Sequence, residues 1–492
     1  MHPGESDAVF SPVELPCGRV LRNRFVKVAL YEHLARLFGG PPNAYHCSLY
    51  AKWSQYDWGM IFTGNVQVSP DHLSLARDIV LPRELSEESV KPFRELADAM
   101  HGEREERPMA IMQLSHAGRQ SPNILGGRLP FSRPLAPSSV RLGSSLKNNG
   151  LLSDLLHRIM FQVPNPMSVA DINEVVDAFA RGAKLAVLAS YDGVELHVAH
   201  GYLLAQFISP KSNKRTDEYS CSPDNVLRLL HRIVSQIRAT VPSDFVLGVK
   251  FNAADYADDL VAATESPALD HVRSIAGWGS VDFIEISGGD YEKPDFMTTS
   301  ASPSARQALF ADFSRHTVHV LADIPHAPLV LLTGGLASPA QLHAALAAHH
   351  THLLGLGRAA VLRPDLPRLL KTQLADDAAA QHPFAPPPDL RLWSPWPWVL
   401  TCLPRIRLLG AGASMAWYVV MLRRLATRSP AAAGGALRAD YSVGALGGIL
   451  WMWAWFGPEF AGNSMKGHAL AALLSVLFVG ACVFCAHVNY HV

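Results

Sequence analysis

Short apolar runs alternate along the chain with longer stretches of helical periodicity or helix-rich composition. The apolar runs lie at 24–30, 58–63, 109–114, 193–197, 245–250, 282–286, 328–333 and 352–356. Helix-like stretches between them include 92–101, 169–189, 223–241 and 339–348. Strand–helix alternation predicts a parallel sheet with crossover helices, and eight repeats predict a closed (β/α)8 barrel, the TIM barrel. A doubly wound open sheet is the alternative.

Two stretches interrupt this pattern. Residues 126–150 are rich in Gly, Ser, Pro and Asn and predict a long loop after the third strand, where a barrel would carry a lid or substrate loop. Residues 379–397 are rich in Pro, Ala and Trp and predict a linker. The predicted organisation is therefore a barrel over 1–378, the linker, and a hydrophobic helical tail over 398–492.

The tail predicts membrane association. It contains three uncharged stretches, 408–422, 443–458 and 469–486, and the last one meets the lower length bound of about 17 residues for a helical span. Arginines and tryptophans near these stretches are typical of interfacial anchoring. We therefore expect membrane association with the barrel facing the cytosol; the alternative is a small helical bundle that covers part of the barrel. The polar, acidic N-terminus has no apolar core of the kind that a secretory signal needs.

Charge and cysteine content narrow the chemistry. The 43 basic and 43 acidic residues give a formal net charge of +0, which offers no argument for nucleic acid as a partner. Only Cys482 and Cys485 have C-x-x-C spacing, and in their apolar run we interpret them as packed thiols. The cysteines are too dispersed for an iron–sulfur centre, which needs about four thiolates. We expect no metal site.

Polar residues with candidate chemistry follow the predicted strands, whose ends converge on one face of a barrel. After strand four come His197 and His200, whose imidazoles can donate hydrogen bonds to a carbonyl oxygen. Tyr202 follows them and can give a proton to a carbon or oxygen centre. Taken alone, such a histidine pair is more often structural or exposed, and a metal site is a further alternative.

Further candidates end neighbouring strands. Gln113, on strand three, offers an amide that suits the edge of a flavin pyrimidine ring, with strand capping as the alternative. Lys250 ends strand five, where a buried ammonium needs an anion such as a reduced flavin, unless it forms a salt bridge at the rim. Barrels frequently bind phosphate after strands seven and eight. The residues there are Gly334, Gly335, Gly357 and Arg358.

A long central segment carries a family resemblance. Residues 192–210, DGVELHVAHGYLLAQFISP, resemble the signature of the Old Yellow Enzyme family, and so does the continuation NKRTDEY at 213–219. The segments 113–120, 333–335 and 357–358 fall where this resemblance expects them. It covers roughly residues 8–375 and leaves the hydrophobic tail outside.

The resemblance implies FMN at the barrel mouth, reduced by NADH or NADPH. Hydride would pass from flavin N5 to the β-carbon of an alkene conjugated to a carbonyl or similar group. His197 and His200 would bind the activating oxygen, and Tyr202 would protonate the α-carbon from the opposite face. The implied flavin contacts are Ala29, Tyr31, Thr63, Gly64, Gln113, Lys250, Gly334, Gly335, Gly357 and Arg358.

Two positions bear on how far the family pattern applies. Tyr31 stands at or near a position that usually carries a small Thr or Cys beside flavin O4, which bears on flavin potential and pocket shape. Lys250 stands where many members have arginine and others lysine. Two alternatives stay open: an oxidative flavin enzyme on the same barrel, and a degenerate flavin-binding barrel that serves as a membrane scaffold. The missing cysteine cluster argues against iron–sulfur relatives of the first kind, and the intact His197, His200 and Tyr202 argue against the second.

Overall fold

A computed structural model describes residues 7–143, 151–252, 267–287, 303–375, 383–390, 412–427, 441–455 and 457. The strands within these residues are β1 Val13–Glu14, β2 Val20–Leu21, β3 Phe25–Lys27, β4 Met60–Gln67, β5 Ile79–Val80, β6 Met109–Ser115, β7 Leu135–Ala136, β8 Asn165–Pro166, β9 Gly193–Val198, β10 Val246–Asn252, β11 Phe283–Ser287, β12 Leu329–Thr333 and β13 Leu353–Leu356. The helices are α1 Asp7–Phe10, α2 Ala44–Ser54, α3 Glu87–His101, α4 Leu151–Met160, α5 Val169–Leu188, α6 Leu203–Ile208, α7 Arg228–Arg238, α8 Pro267–Gly277, α9 Pro303–Leu321, α10 Pro339–Ala347, α11 Arg358–Leu362, α12 Leu366–Ala375, α13 Ala413–Thr427 and α14 Ala445–Trp453.

Eight parallel strands close into a barrel, which confirms the predicted fold. Their order is β3, β4, β6, β9, β10, β11, β12 and β13, and β13 pairs with β3 to close the ring. Each strand falls on one of the eight apolar runs. The runs are apolar on both faces because the inner face lines the barrel and the outer face is covered by helices.

The lower half of the barrel is a packed core. Phe62, Ile111 and Phe283 belong to one buried cluster inside the ring of strands. The short antiparallel pair β1–β2 adds Leu15 and Leu21 to the same cluster, at the end opposite the strand carboxyl termini. The barrel is therefore filled below, and polar side chains gather only at its upper end.

A bulge in β4 changes which side chains face inward. The pairing of β4 with β6 shifts between Phe62 and Asn65. Before the bulge, Phe62 lies in the inner cluster; after it, Val66 belongs to the outer core, although an unbroken strand would place both inside. The shift turns Asn65 and Gln67 toward the barrel interior.

The segment between β6 and α5 is more structured than the loop predicted at 126–150. It includes the short parallel pair of β7 with β8, followed by the docking of Met167 onto Ala136 through a backbone hydrogen bond of 2.9 Å. Helix α4 lies just before β8. Residues 144–150 of the predicted loop lie outside the described residues. The segment therefore adds a small cap beside the upper end of the barrel.

The described residues of the tail do not support the predicted membrane-associated helical extension. Two of its three uncharged stretches correspond to α13 and α14. Helix α13 packs against α2 and α14 packs against α13, as the alternative of a small helical bundle had it. Trp417 is fully buried, and its indole donates to the Val443 carbonyl at 2.9 Å. Among the described helices, none combines the length and apolarity required to cross a bilayer. The apolar residues of these stretches cover the barrel, which gives them a buried partner without lipid.

A buried arginine anchors this C-terminal segment, residues 412–427 and 441–455, to the barrel. Arg423 is 5% exposed; it donates to the Trp451 carbonyl at 2.8 Å and to the His33 carbonyl at 3.2 Å. Its guanidinium lies 4.4 Å from the ring centroid of Trp455. His33 belongs to the loop after β3, so the segment is attached beside the first barrel strand.

We expect Arg423→Met to loosen the C-terminal segment without unfolding the barrel. The change removes two hydrogen bonds from a charged donor and leaves two carbonyls without it, which corresponds to roughly 2–4 kcal/mol of local stability. Hydrogen exchange should show faster exchange in α13 and α14, while the barrel strands keep their protection. Arg273→Met, at an exposed arginine of α8, is the matched control. Unchanged exchange in α13 would contradict this anchoring role.

Candidate active site

Strand β9 delivers the two histidines and the tyrosine to one place. The ring centroids of His197 and His200 are 5.0 Å apart, and those of His197 and Tyr202 are 4.6 Å apart. His200 and Gly201 both adopt positive φ, 56° and 70°, which turns the chain sharply between β9 and α6. Because of this turn, Tyr202 folds back over the end of the strand it follows.

Hydrogen bonds indicate the tautomers of both imidazoles. The Ala199 amide donates to His197 Nδ1 at 3.3 Å, so His197 carries its proton on Nε2. That Nε2 lies 3.3 Å from His200 Nδ1, and His200 Nε2 lies 3.1 Å from Ser287 Oγ. Burial lowers the pKa of His197 and His200 well below the usual value, and the charge of Lys250 lowers both further. Both rings are therefore neutral donors at their Nε2 atoms.

Tyr202 is held by two side chains that sequence reasoning missed. Its phenol oxygen lies 3.0 Å from Asn65 Nδ2 and 3.0 Å from Ser74 Oγ. Asn65 comes from β4 just after the bulge, and Ser74 comes from the loop between β4 and β5. The signal in the sequence was that residues 65 and 67 are both polar within a strand. An unbroken strand would nevertheless have placed the Asn65 side chain on the outer face of the barrel.

A buried ionic network crosses the barrel just below this group. Lys250 Nζ donates to Glu285 Oε1 at 2.7 Å, and Gln113 Nε2 donates to Glu195 Oε2 at 2.6 Å. Burial and the neighbouring charge of Glu285 raise the pKa of Glu195 well above its usual value, which favours the protonated form of this carboxyl. Sequence reasoning expected a flavin to supply the anion for Lys250. The structure shows that the protein supplies one itself, in Glu285.

The loop after β3 and the bulge of β4 form the adjoining wall. Glu32 accepts from the Gly64 amide at 2.7 Å and from the Tyr50 hydroxyl at 2.5 Å. A Cβ on Gly64 would lie 1.9 Å from Glu32 Oε2, so only glycine fits this approach. Thr63 is fully buried, and its hydroxyl oxygen accepts from the backbone N–H of Gln113 at 3.0 Å.

Ala29 and Tyr31, both half-buried, flank this wall. The ring of Tyr31 stacks on His33, with centroids 5.5 Å apart, and Trp453 of the C-terminal segment meets His33 edge-on at 5.2 Å. The residue that departs from the family pattern is thus connected to the part of the chain that lies outside the resemblance. Its contact with a flavin stays a prediction.

The predicted phosphate side lies at the ends of β12 and β13. Gly334 and Gly335 have φ of 105° and 73°, a conformation that favours glycine and leaves their amides approachable. Gly357 precedes α11, and a Cβ there would meet Val28 and Leu30 at 3.4 and 3.3 Å. Arg358, the first residue of α11, is exposed. Helix α13 lies nearby, since the charge of Arg358 opposes the burial that raises the pKa of Tyr418 to about 12.

These groups fit an FMN. Gln113 and Lys250 can meet the polar edge of a flavin ring, and the amides of Gly334 and Gly335 with Arg358 can meet its phosphate. Thr333 Oγ1 is a buried polar atom without a hydrogen-bond partner among the described residues. A Cβ on the neighbouring Gly355 would lie 2.2 Å from this oxygen, so the glycine keeps the space beside it open. The described residues contain no cluster of three or more His, Cys, Asp or Glu able to hold a metal ion.

A parallel barrel with donor side chains and approachable glycines at its carboxyl end is the architecture of a flavin-dependent oxidoreductase. The family model of the NADH:flavin oxidoreductase / NADH oxidase family matches residues 8–377. The chain belongs to this family, whose cofactor is FMN and whose reductant is NADH or NADPH.

Individual relatives agree. An NADH-dependent flavin oxidoreductase of Neonectria sp. is 36% identical over 403 residues, which are 79% of this chain and 50% of the relative. This chain thus matches about half of that relative's length. A second NADH-dependent flavin oxidoreductase, from Talaromyces variabilis, is 34% identical over 428 residues, which are 84% of this chain and 97% of the relative.

Solved structures show the fold. An Old Yellow Enzyme homologue from Zymomonas mobilis superposes with a TM-score of 0.56 at 19% identity, covering 76% of this chain and 94% of the homologue. A 2-naphthoyl-CoA reductase in complex with 2-naphthoyl-CoA gives a TM-score of 0.61 at 19% identity, covering 75% of this chain and 52% of the reductase. At this identity the likeness supports the barrel and not a substrate.

Proposed function

We propose that this chain reduces alkenes conjugated to a carbonyl or similar activating group. The observation that carries the proposal is the convergence of His197, His200 and Tyr202 above the polar network of Lys250 and Gln113. Two neutral hydrogen-bond donors beside a buried phenol are what a conjugated carbonyl needs, because its oxygen gains negative charge while its α-carbon takes up a proton.

In this reaction FMN and the side chains of the site have separate roles. FMN, held at the barrel mouth and reduced by NADH or NADPH, supplies the hydride for the β-carbon. A carbonyl oxygen that enters between the two imidazoles accepts both Nε2–H donors. In the structure His197 directs its donor to His200 Nδ1, and His200 directs its donor to Ser287 Oγ. Tyr202 stands 4.6 Å from the His197 ring and gives its phenolic proton to the α-carbon. Burial of His197 and Tyr202 excludes water, which would otherwise compete for both donors.

The test is a pair of colour changes in the full chain. Purified under native conditions, the protein should be yellow, NADPH or NADH should bleach it, and a simple cyclic enone should restore the colour with saturated ketone as product. Retention of FMN without any turnover over a panel of enones, nitroalkenes and unsaturated esters would favour the degenerate barrel. Loss of FMN under native purification would contradict flavin binding.

The state of the histidines predicts the pH dependence of substrate binding. Because burial lowers the pKa of His197 and His200 well below 6.5, both stay neutral from about pH 6 upward. Only at much lower pH would they gain a proton and lose the neutral form. We therefore expect the KM for an enone to be flat between about pH 6 and 8. A KM that changes steeply around pH 6.5 would show that one imidazole titrates there and would contradict this assignment.

We infer membrane association from residues 469–486 alone, which lie outside the described residues. Their eighteen uncharged residues are long enough for a span. Carbonate extraction of membranes should retain the full chain and release a chain that ends at residue 468, which keeps the packed C-terminal segment. Release of both would contradict the inference.

A further inference from the structure

The hydrogen bonds around Tyr202 reach well beyond the histidine pair. On the side of β4, four polar side chains form a continuous buried series: Asn65, Ser74, Gln67 and Asp78, with exposures of 7%, 8%, 0% and 1%. Two of them, Asn65 and Ser74, contact the phenol oxygen directly. Burying a polar side chain costs free energy unless it is hydrogen-bonded, so we expect each of the four to have a hydrogen-bond partner whose orientation it fixes.

We propose that Asn65 and Ser74 are positioning residues that make Tyr202 a better proton donor, by each donating a hydrogen bond to its phenol oxygen. The proposal rests on the proposed function, in which Tyr202 protonates the substrate. It assigns Gln67 and Asp78 the task of orienting the Ser74 hydroxyl.

The direction of the series is set at Asp78. This carboxylate accepts from the Ser74 amide at 3.1 Å, the Leu75 amide at 3.3 Å and Gln67 Nε2 at 3.0 Å. Burial raises the pKa of Asp78 to about 6, so the group is ionised at pH 7 and acts as an acceptor. An ionised carboxylate requires the nitrogen of the Gln67 amide, not its oxygen, to face it.

The orientation of the Gln67 amide fixes the direction of the hydrogen bonds at Ser74. Gln67 Nε2 carries two hydrogens; one points to Asp78 and the other to Ser74 Oγ, at 2.8 Å. The serine oxygen is therefore an acceptor from Gln67, and among the described residues Tyr202 is the remaining partner for its own hydrogen. On the other side of the phenol, the Asn65 amide nitrogen can only donate.

Two donors on the phenol oxygen favour proton transfer. When the O–H bond of Tyr202 breaks and a C–H bond forms at the α-carbon, the electron pair of the O–H bond stays on the phenol oxygen as a phenolate. Hydrogen bonds to a charged oxygen are about twice as strong as those to a neutral one, so both donors stabilise the phenolate more than the phenol. After the product has left the site, a proton from the solvent restores Tyr202 before the next turnover.

The β4 bulge is what makes this contact possible. Without the shift between Phe62 and Asn65, residue 65 would face α-helices outside the barrel. The Gly64 amide at the bulge bonds to Glu32 and Tyr50 instead of the strand ladder. The same local irregularity thus shapes the wall beside the predicted flavin and aims the Asn65 amide at Tyr202.

The test separates the two half-reactions by stopped-flow, using the full FMN-loaded chain. Flavin reduction by NADPH is measured first, and then reoxidation by 2-cyclohexenone between pH 6 and 10. The variants are Asn65→Leu, which keeps size and removes the donor, and Ser74→Ala, which removes only the hydroxyl. Ser222→Ala, at an exposed serine, is the matched control. Each of Asn65→Leu and Ser74→Ala is also combined with Tyr202→Phe.

We expect Asn65→Leu and Ser74→Ala each to slow reoxidation about tenfold, since a hydrogen bond to a charged group is worth about that factor or more. Reduction by NADPH should stay within about twofold, since it requires no proton from Tyr202. The alkaline limit of reoxidation should move to higher pH, because the phenol loses a donor that favours its ionised form. The titrating groups near this oxygen are His197 and, through Gln67, Asp78; both change charge at much lower pH.

The double variants decide between positioning and general damage. If Asn65 and Ser74 act through the phenol, neither change slows reoxidation further once Tyr202 is phenylalanine. Additive losses in the Tyr202→Phe background, or equal losses in both half-reactions, would overturn the proposal. If Tyr202→Phe alone leaves reoxidation unchanged, the proposed role of Tyr202 fails as well; if it slows reoxidation while the single variants do not, only the positioning role fails.

Discussion

Replacing Tyr202 with phenylalanine is expected to slow the reduction of an enone by about 10²- to 10⁴-fold, the usual contribution of a positioned general acid. Reduction of the flavin by NADH or NADPH should change by no more than about threefold, because that step moves a hydride without a proton from the phenol. The ring packs against His197 at 4.6 Å and is buried, and phenylalanine keeps this packing. The effect therefore reports the hydroxyl and not the fold.

Single-turnover measurements of both half-reactions provide the check. Tyr219→Phe is a useful control, since Tyr219 is a buried tyrosine of the same chain whose hydroxyl pairs with Arg232 away from the histidines. Equal slowing of both half-reactions in the Tyr202 variant would refute its role as proton donor. Unchanged product formation would point to another acid at this site.

The second large effect is expected from Lys250→Met. Lys250 is 4% exposed and Glu285 is fully buried, and their 2.7 Å contact compensates both charges. Removal of one partner from a buried pair costs about 3–5 kcal/mol because the other charge stays behind without compensation. The protein should lose that much of its free energy of unfolding, and FMN should be lost on gel filtration because the ammonium at the polar edge of the proposed flavin site is gone.

A double-variant comparison separates these two consequences. Lys250→Met with Glu285→Leu removes both charges and should recover most of the stability, since apolar replacements of buried ion pairs are often neutral or stabilising. FMN binding should not recover with it if Lys250 contacts the flavin. Lys250→Arg retains the cation and should keep both properties. Full FMN retention by Lys250→Met would contradict the predicted flavin contact.

The residues behind these two predictions differ in how readily the sequence shows which side chains they will contact. His197, His200 and Tyr202 stand together within six residues, so their proximity follows from the local chain and from the end of one strand. Lys250 also ends a predicted strand, but its partner Glu285 comes from the next strand around the barrel. An alternating apolar pattern shows that a strand is buried; it does not show which interior positions of neighbouring strands stand side by side.

The C-terminal segment shows that composition alone does not distinguish a membrane-bound stretch from one that is packed against protein. Uncharged stretches with flanking arginines have the same appearance whether lipid or protein covers them. Arg423 directly follows the stretch 408–422, where an arginine is typical of interfacial anchoring, but the structure places it inside the fold, against His33 and Trp455. Its two carbonyl partners belong to His33, 390 residues away in the chain, and to Trp451, 28 residues away in the neighbouring helix. Only the folded chain reveals these contacts.

The sequence alone was enough to predict the barrel, because strand–helix alternation with eight buried runs leaves few other ways to cover both faces of a parallel sheet. It also determined the histidine–tyrosine group, because β9 and the turn after it are local. The folded chain was needed to reveal the inward turn of Asn65, the pairing of Lys250 with Glu285 and the packing of the tail on the barrel. A bulge, an inter-strand register and a docked helix all depend on residues that are distant in sequence.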